Sequence, residues 1–415
     1  MRSRLFVAAV AAVALGAVAA TASASGHRQQ ASKLTVWLQV DAQSGWPDVV
    51  AAANKQFEAA NPGWTVDVQY QSWSDHLQKF DATIAGNATP DVLEMGNTEM
   101  TKYMAAGAFA DLTPSRSKFD NSSKWLTGMR AWGTYLGKLY GVPYYAGSRV
   151  ITYRTDLFKK AGISKPPTSL AQFQSDLVKV GKMQKKVKGF SPLYVGGEDW
   201  YSAISFVFDY GGSIARTHGG KWIGTLDSPK SIAGLTAFKK FFDATQSKST
   251  ATLDGSNPFP YAVFAQGQTA ANYGPAWYTC CTGADYKPVT GQFVMPSHTK
   301  GKPMPGFLGG SDLAVPVSGN KSMGADWIKD FTSTSAEKAL QAKGNIPNST
   351  SLLGNSVNER AAQRSWFVPT AKHWVDVENG NILRNMLAQI LTGKLSVKQA
   401  ASSASDNIAS VLNQS

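Results

Sequence analysis

Residues 34–70, LTVWLQVDAQSGWPDVVAAANKQFEAANPGWTVDVQY, contain a complete strand–helix–strand unit. Leu34–Leu38 is a short apolar run that predicts a buried strand, and Thr65–Tyr70 alternates as a second strand does. Between them, Val49–Ala60 predicts a helix, because Pro47 stands near its start and the helix-breaking sequence Asn-Pro-Gly follows its end. Strands that alternate with helices predict an α/β fold with a parallel sheet.

The same alternation continues along the rest of the chain. After a helix at Asp75–Ala85, a strand at Asp91–Glu94 and a helix at Thr98–Ala106, a second run begins with a strand at Val150–Arg154. The chain has 415 residues, which is enough for two lobes. The further helices are predicted at Leu170–Lys182, Trp200–Phe208, Ser228–Thr245, Tyr261–Gln266, Met323–Thr332, Gly380–Leu391 and Ser396–Leu412.

The first residues have the pattern of an export signal. Arg2 and Arg4 precede an apolar run from Leu5 to Ala20, and Ala22-Ser23-Ala24 has the small residues of a cleavage site. The run is short for a membrane span, although a retained anchor is the alternative. We therefore predict that residues 1–24 are a signal peptide and that the protein is exported, to a periplasm or outside the cell. No cysteine lies near the cleavage site, so a lipid anchor of the bacterial lipoprotein type is not expected.

The composition is that of a globular protein, with 43% hydrophobic and 17% charged residues. A formal charge of +13 raises the possibility of a nucleic-acid partner, but the lysines are dispersed, so none is predicted. The densest lysine cluster, residues 182–188, is interpreted as a solvated helix end or loop. The 5 His lack metal-ligand spacing, so neither a metal nor a cofactor is predicted.

The 2 Cys of the chain are adjacent, Cys280 and Cys281. Neighbouring cysteines can pair only through a strained ring that includes their shared peptide bond. Export to an oxidising compartment makes such a bridge possible. We predict a vicinal disulfide, with a pair of half-buried thiols as the alternative.

Aromatic rings occur beside amides and carboxylates wherever a strand is predicted to end. A pyranose ring stacks its CH face on an aromatic side chain, while its hydroxyls need planar acceptors and donors, so this mixture points to a carbohydrate that is bound without being cut. Asp41 is predicted to lie in the loop after the first strand. The rings of Trp46, Tyr145, Trp277 and Trp374 are predicted to be presented on loops, because Gly, Pro or polar residues lie within two positions of each, and a Gly-Pro turn precedes Trp277. Only one of Trp200 and Tyr201 is expected to face a cleft. The candidate binding residues are Asp41, Trp46, Glu94, Asn97, Tyr145, Trp200, Tyr201, Trp277, Gly310, Ser311, Asp312 and Trp374.

Each candidate also has a plainer interpretation. The acids are common at helix N-caps and turns, and most tryptophans pack in cores. For catalysis, the sequence has neither a Gly-x-Ser-x-Gly elbow nor a Walker loop. Glu94 and Asp312 are a possible carboxylate pair for glycoside hydrolysis, but two open lobes are not the barrel expected of such an enzyme.

Several motifs in order resemble the extracellular solute-binding proteins of carbohydrate ABC transporters, a large maltodextrin-binding-like family. They include Pro90-Asp91-Val92, the crossover sequence 137–145 (GKLYGVPYY), the stretch 153–163 (YRTDLFKKAGI), Gly274 with Trp277, and the final 391–397 (LTGKLSV). Residues 37–43, 94–99, 143–149 and 309–312 resemble the N,N'-diacetylchitobiose-binding branch, and relatives that bind cellobiose or xylobiose have similar loops.

The resemblance implies a type II periplasmic-binding-protein fold, in which two α/β lobes clamp a sugar. Lobe 1 would contain residues 33–143 plus 308–345, and lobe 2 residues 144–307 plus 346–415. The crossings would lie near Val142-Pro143, Gly306–Gly309 and Gly344–Pro347. It also implies that the protein is a monomer that delivers an oligosaccharide to membrane permease subunits. A secreted glycoside hydrolase and a non-transport carbohydrate-binding protein, such as an adhesin, remain the alternatives.

Overall fold

The computed structural model describes residues 32–246, 248–253 and 258–414, apart from the side chains of Lys248 and Cys280. The predicted signal peptide, residues 1–24, therefore lies outside the described residues. Among the residues that are described, no helix is both long enough and apolar enough to cross a membrane.

The predicted helices and strands are present, with ends that differ by a few residues. The strands are β1 (Ser32–Gln39), β2 (Trp64–Gln71), β3 (Val92–Gly96), β4 (Thr134–Tyr135), β5 (Lys138–Leu139), β6 (Gly141–Gly147), β7 (Arg149–Arg154), β8 (Ala215–His218), β9 (Lys221–Gly224), β10 (Ala271–Pro275), β11 (Thr290–Phe293), β12 (Gly306–Phe307), β13 (Gly309–Ala314) and β14 (Ser365–Trp366). The α-helices are α1 (Val40–Gly45), α2 (Pro47–Ala60), α3 (His76–Ala85), α4 (Met100–Ala105), α5 (Thr127–Trp132), α6 (Thr155–Lys160), α7 (Leu170–Met183), α8 (Trp200–Asp209), α9 (Pro229–Thr245), α10 (Pro260–Ala265), α11 (Lys321–Phe331), α12 (Thr334–Ala342), α13 (Val357–Ala362), α14 (Trp374–Asn379), α15 (Ile382–Leu391) and α16 (Val397–Leu412).

The first sheet has the strand order β2-β1-β3-β13-β6. Strand β1 runs parallel to β2 and β3, as the sequence predicts. Strand β13 is antiparallel to both β3 and β6, so the expectation of a wholly parallel sheet was wrong. The chain arrives at β13 from the part that contains β10 and β11, and not through a helix that packs on the first sheet. Strand β13 therefore begins at the end of the first sheet where β3 finishes.

The second large sheet, β10-β7-β11, is antiparallel throughout. Here too the parallel expectation was wrong, since the alternation of helices and strands along the chain does not fix which strands become neighbours. The α/β class itself is confirmed, because helices pack against both sheets.

Each sheet has its own apolar core. Helix α2 buries Val49, Val50, Ala53 and Phe57 along one face, and this face packs with α11 and β1 in the first core. The second core is larger and includes the fully buried aromatic residues of α7, α8 and α9, namely Phe173, Phe206, Phe238 and Phe242. Separate cores are what allow two parts of a chain to move as rigid bodies.

Three segments that connect the two sheets lie side by side. Gly147 at the end of β6 pairs with Gly309 at the start of β13. On its other side, Ala146 exchanges two backbone hydrogen bonds with Ile346, of 3.0 and 2.7 Å. The segments at Gly309 and Ile346 lie where the resemblance implies crossings, whereas Val142-Pro143 lies inside β6 and the chain leaves the first sheet only after Gly147. The lobe boundaries themselves stay a prediction.

Candidate functional site

The carboxyl ends of β1 and β3 and the amino end of β13 lie at the same end of the first sheet. Because β13 is antiparallel to β3, Ser311 pairs with Gly96 and Leu313 with Glu94. The register therefore brings Glu94, Asn97, Gly310 and Ser311 together. Residues 309–312 form the start of strand β13, although the sequence pattern suggested that they follow the end of a strand.

Glu94 lies within β3 and is buried, so it is neither a helix cap nor a turn residue. Its Oε2 accepts a hydrogen bond of 2.8 Å from the backbone N–H of Gln39. Burial raises the pKa of Glu94 to about 7, in spite of stabilisation of the carboxylate by that N–H. At neutral pH this carboxyl can both donate and accept a hydrogen bond.

Asp312 points to the opposite face of the sheet from Glu94. It pairs with Met95, the neighbour of Glu94, and successive side chains of a strand alternate between faces. Asp312 is fully buried, neither of its carboxylate oxygens has a hydrogen-bond partner in the structure, and burial raises its pKa well above its usual range. The structure therefore does not bring Glu94 and Asp312 to one face of the sheet, where they would act as a hydrolytic pair. The buried position of Asp312 also differs from the ligand contact that the sequence predicted.

Asp41 is exposed in the first turn of α1, where the sequence predicted a loop, and an acid there is favoured by the helix dipole. It accepts a hydrogen bond from the indole N–H of Trp73. Trp73 was missed by the sequence analysis, although it follows β2 between two serines and so has the strand-end pattern of the other candidates. Its ring lies over the end of β3, where a Cβ on Gly96 would be 3.3 Å from it.

A hydrogen-bonded pair, the buried His76 and the half-buried Glu99, supports the Trp73 ring. His76 Nε2 lies 2.9 Å from Glu99 Oε2, which also accepts the N–H of Gly96 at 3.0 Å. Burial lowers the pKa of His76, but the Glu99 carboxylate outweighs burial and leaves the pKa raised. The imidazole meets Trp73 edge-on with ring centroids 5.1 Å apart. The pair thus fixes the ring relative to the sheet edge.

Trp46 and Asn97 have structural contacts that the sequence did not reveal. Trp46 is 7% exposed and packs on the half-buried Tyr145 at 5.1 Å, so the prediction that its ring is presented on a loop was wrong. Asn97 donates a side-chain hydrogen bond of 2.8 Å to the carbonyl of Leu308. Gly310 has no room for a side chain, since a Cβ would lie 2.2 Å from the backbone oxygen of Tyr145. Together these residues hold β3, β6 and β13 in register.

Trp277 is 57% exposed and follows β10, as the Gly-Pro turn predicted. Its ring packs with Tyr261 at 5.8 Å and Tyr278 at 4.9 Å. A cleft of about 710 Å³ lies beside it and is lined from the other side by Lys343 and Gly344. The Lys343 ammonium pairs with Asp48 of α2 at 2.9 Å, which places this cleft close to the segment that carries Asp41.

Trp200 and Trp374 belong to the core of the second sheet, 4% and 1% exposed, so the prediction that Trp374 is presented on a loop was wrong. Trp200 stacks on the half-buried Tyr201 at 3.9 Å, and the expectation that one of the two faces a cleft stays a prediction. The Trp374 indole donates to Glu378 at 2.5 Å, and burial raises the pKa of Glu378 to about 7.

The sequence analysis also missed a buried ion pair between Arg149 and Asp199 beside Tyr201. Cys281 is disulfide-bonded. The side chain of Cys280 lies outside the described residues, so the vicinal bridge stays a prediction.

The comparison with known families agrees with this architecture. The profile of a family described as bacterial extracellular solute-binding protein matches residues 38–336. The chain belongs to this family. The resemblance that the sequence motifs indicated is thereby confirmed.

Curated relatives include the diacetylchitobiose binding protein DasA of Streptomyces coelicolor, which is 30% identical over 374 residues, 87% of this chain and 85% of DasA. A maltooligosaccharide ABC transporter solute-binding lipoprotein of Streptococcus pneumoniae is 24% identical over 97% of the chain and 94% of its own length. Among solved structures, the maltose-binding protein MalE of Listeria monocytogenes has a TM-score of 0.76 at 21% identity, over 92% of this chain and 100% of MalE. These likenesses confirm the two-lobed binding-protein fold.

Proposed function

We propose that the chain is the exported, monomeric binding component of an ABC sugar importer. It holds N,N'-diacetylchitobiose, or a similar disaccharide such as cellobiose or xylobiose, between its lobes and delivers it to a membrane permease. The family, and a relative of matching length that binds diacetylchitobiose, support this proposal.

The observation that carries the proposal is the exposure of two tryptophans. The structure describes all 12 Trp, and only Trp73 and Trp277 among them have exposed rings. Trp73 lies beside the carboxyl ends of β1 and β3 in the first sheet, and Trp277 follows β10 in the second sheet. Covering an exposed aromatic ring with the apolar face of a ligand removes that ring from water, which favours binding. Two rings on two lobes suit a ligand that has two apolar ring faces.

The groups around these rings suit the polar part of such a ligand. Asp41 offers an exposed carboxylate, and its second oxygen remains available because Trp73 donates to only one of them. Glu94, with a pKa near neutrality, can serve a hydroxyl or an acetamido group as donor or acceptor. The cleft beside Trp277 is also lined by Lys343, Gln292 and Asn358. A concave site that places polar side chains around an aromatic ring suits the hydroxyls and the apolar face of a sugar.

Binding would favour a closed arrangement of the lobes. A sugar that contacts Asp41 and Trp73 on one lobe and Trp277 on the other gains the full set of contacts only when the lobes approach. Such a difference in contacts is what shifts the equilibrium towards closure.

The test is titration calorimetry of the purified protein with diacetylchitobiose, cellobiose, xylobiose and maltose. We expect tight binding of one of the first three without turnover. Trp277→Ala should weaken it by about 1–3 kcal/mol, by analogy with the loss of aromatic stacking on nucleobases. Trp64→Ala is the matched control, since Trp64 is the first residue of β2 and so lies at the end of the sheet that is far from the proposed site. Equal affinity of the native and Trp277→Ala proteins would refute the proposed site, and release of monosaccharide would favour a hydrolase.

A further inference from the structure

The end of α7 and the loop that follows it form a strongly basic part of the surface. Between Asp176 and Glu198 the chain contains lysines but no acidic residue. Four lysines on this stretch are exposed, and within the described residues none of them pairs with a carboxylate; they are Lys182, Lys185, Lys186 and Lys188. The nearest acids along the helices are occupied, because Asp176 pairs with Lys179 and Asp243 with Lys239.

The backbone of this loop is held by a series of turns. The N–H of Gln184 donates to Gly181 at 3.1 Å, that of Val187 to Gln184 at 2.9 Å, and that of Phe190 to Val187 at 3.2 Å. Gly189 completes the loop with a φ of 76°, a conformation that favours glycine. The lysines therefore project from a fixed backbone.

Two apolar side chains are exposed among these lysines. Met183 and Val187 are 43% and 40% exposed. Val187 also lines a depression of about 370 Å³ together with Phe190 and Pro192. A lysine in the last turn of a helix is explained by the helix dipole, which accounts for Lys182. The dipole explains neither the three lysines beyond the helix nor the exposed Met183 and Val187.

We propose that this basic loop surface, Lys182 to Lys188, docks on the anionic headgroups of a lipid membrane. Lysines attract such headgroups, while apolar side chains between them enter the boundary with the acyl chains. An acidic protein partner is the other occupant that this surface would suit, and failure of the native protein to bind anionic vesicles would favour it. The inference does not depend on which sugar is bound, and it places the protein at the surface where a permease would lie.

The experiment is co-sedimentation of the exported protein with vesicles of phosphatidylglycerol and phosphatidylcholine, compared with pure phosphatidylcholine. We expect binding only to the anionic vesicles, and loss of that binding when salt is raised, because screening shortens the reach of the charges. Changing all four lysines to Gln should weaken vesicle binding at least about tenfold. Met183→Ser with Val187→Ser should weaken it by a smaller factor that salt does not alter.

The matched control changes four other exposed lysines to Gln and so removes the same net charge. They are Lys55, Lys300, Lys338 and Lys398, and none of them pairs with a carboxylate in the part of the chain that the structure describes. It should retain native binding, and circular dichroism should show that every variant is folded. An equal loss in the control variant would attribute the attraction to net charge alone and overturn the proposal. Failure of the native protein to bind anionic vesicles at low salt would overturn it as well.

Discussion

The free energy of unfolding of the Glu94→Gln variant, minus that of the native protein, should increase as pH rises. The native carboxyl is 2% exposed, and burial raises its pKa from an ordinary 4.5 to about 7. A glutamine of nearly the same shape can still accept the Gln39 N–H through its carbonyl oxygen. What it removes is the cost of ionising a carboxyl group inside the fold.

The sign follows from proton linkage. Between pH 4.5 and about 7 the unfolded chain has lost the proton of Glu94 and the folded chain has kept it. The folded state is thus favoured at acidic pH, and this contribution is lost as pH rises through the folded pKa. A difference of roughly 2.5 pKa units corresponds to about 3 kcal/mol, at 1.36 kcal/mol per unit.

The assay is urea unfolding of both proteins at several pH values from about 4 to 8, well either side of the two pKa values. The free energy of unfolding of Glu94→Gln minus that of the native protein should grow by about 3 kcal/mol over this range. Asp312 and Glu337, whose pKa values burial also raises, are present in both proteins and cancel. A difference that is independent of pH would refute the reasoning.

Glu359→Gln provides a control of opposite sign. The Glu359 carboxylate accepts hydrogen bonds from Gly354 N at 2.7 Å and from Ser356 N at 2.9 Å. Burial opposes ionisation there, but these bonds and those from the Ser356 hydroxyl and Gln341 outweigh it and lower the pKa below 4.5. Its contribution to stability is present above pH 4.5 and lost as pH falls, so this variant should become less stable than native as pH rises.

Three further results are expected. Gly310→Ala should lower the free energy of unfolding by about 1–3 kcal/mol, because its Cβ would lie 2.2 Å from a backbone oxygen, whereas Gly309→Ala, with its nearest contact at 4.0 Å, should be tolerated. Trp73→Phe keeps a ring but loses the N–H bond to Asp41, so calorimetry should show sugar binding weaker by about 1 kcal/mol, and unchanged affinity would remove Trp73 from the site. Saturating sugar should reduce the radius of gyration in solution scattering, and an unchanged curve from initially open lobes would contradict closure.

Local sequence patterns predicted the elements that local interactions stabilise. The β1–α2–β2 unit, the two-lobe α/β class and the exposure of Trp277 after its Gly-Pro turn all follow from the spacing of apolar residues and from Pro and Gly beside them. Strand neighbours did not follow from the sequence. Whether β13 lies parallel or antiparallel depends on where the chain returns from the second sheet, which is a long-range matter.

The candidate site divides in the same way. The sequence alone indicated which residue types gather at strand ends, and it named Asp41, Glu94, Tyr145 and Trp277 among them. That these residues bind a ligand stays a prediction. Only the tertiary structure showed that Trp46 and Trp374 are buried, that Trp73 is exposed against Asp41, and that Glu94 and Asp312 lie on opposite faces of one sheet. The physical reason is that burial and facing depend on the register of strands distant in sequence, since a shift of one residue turns every side chain of a strand to the other face.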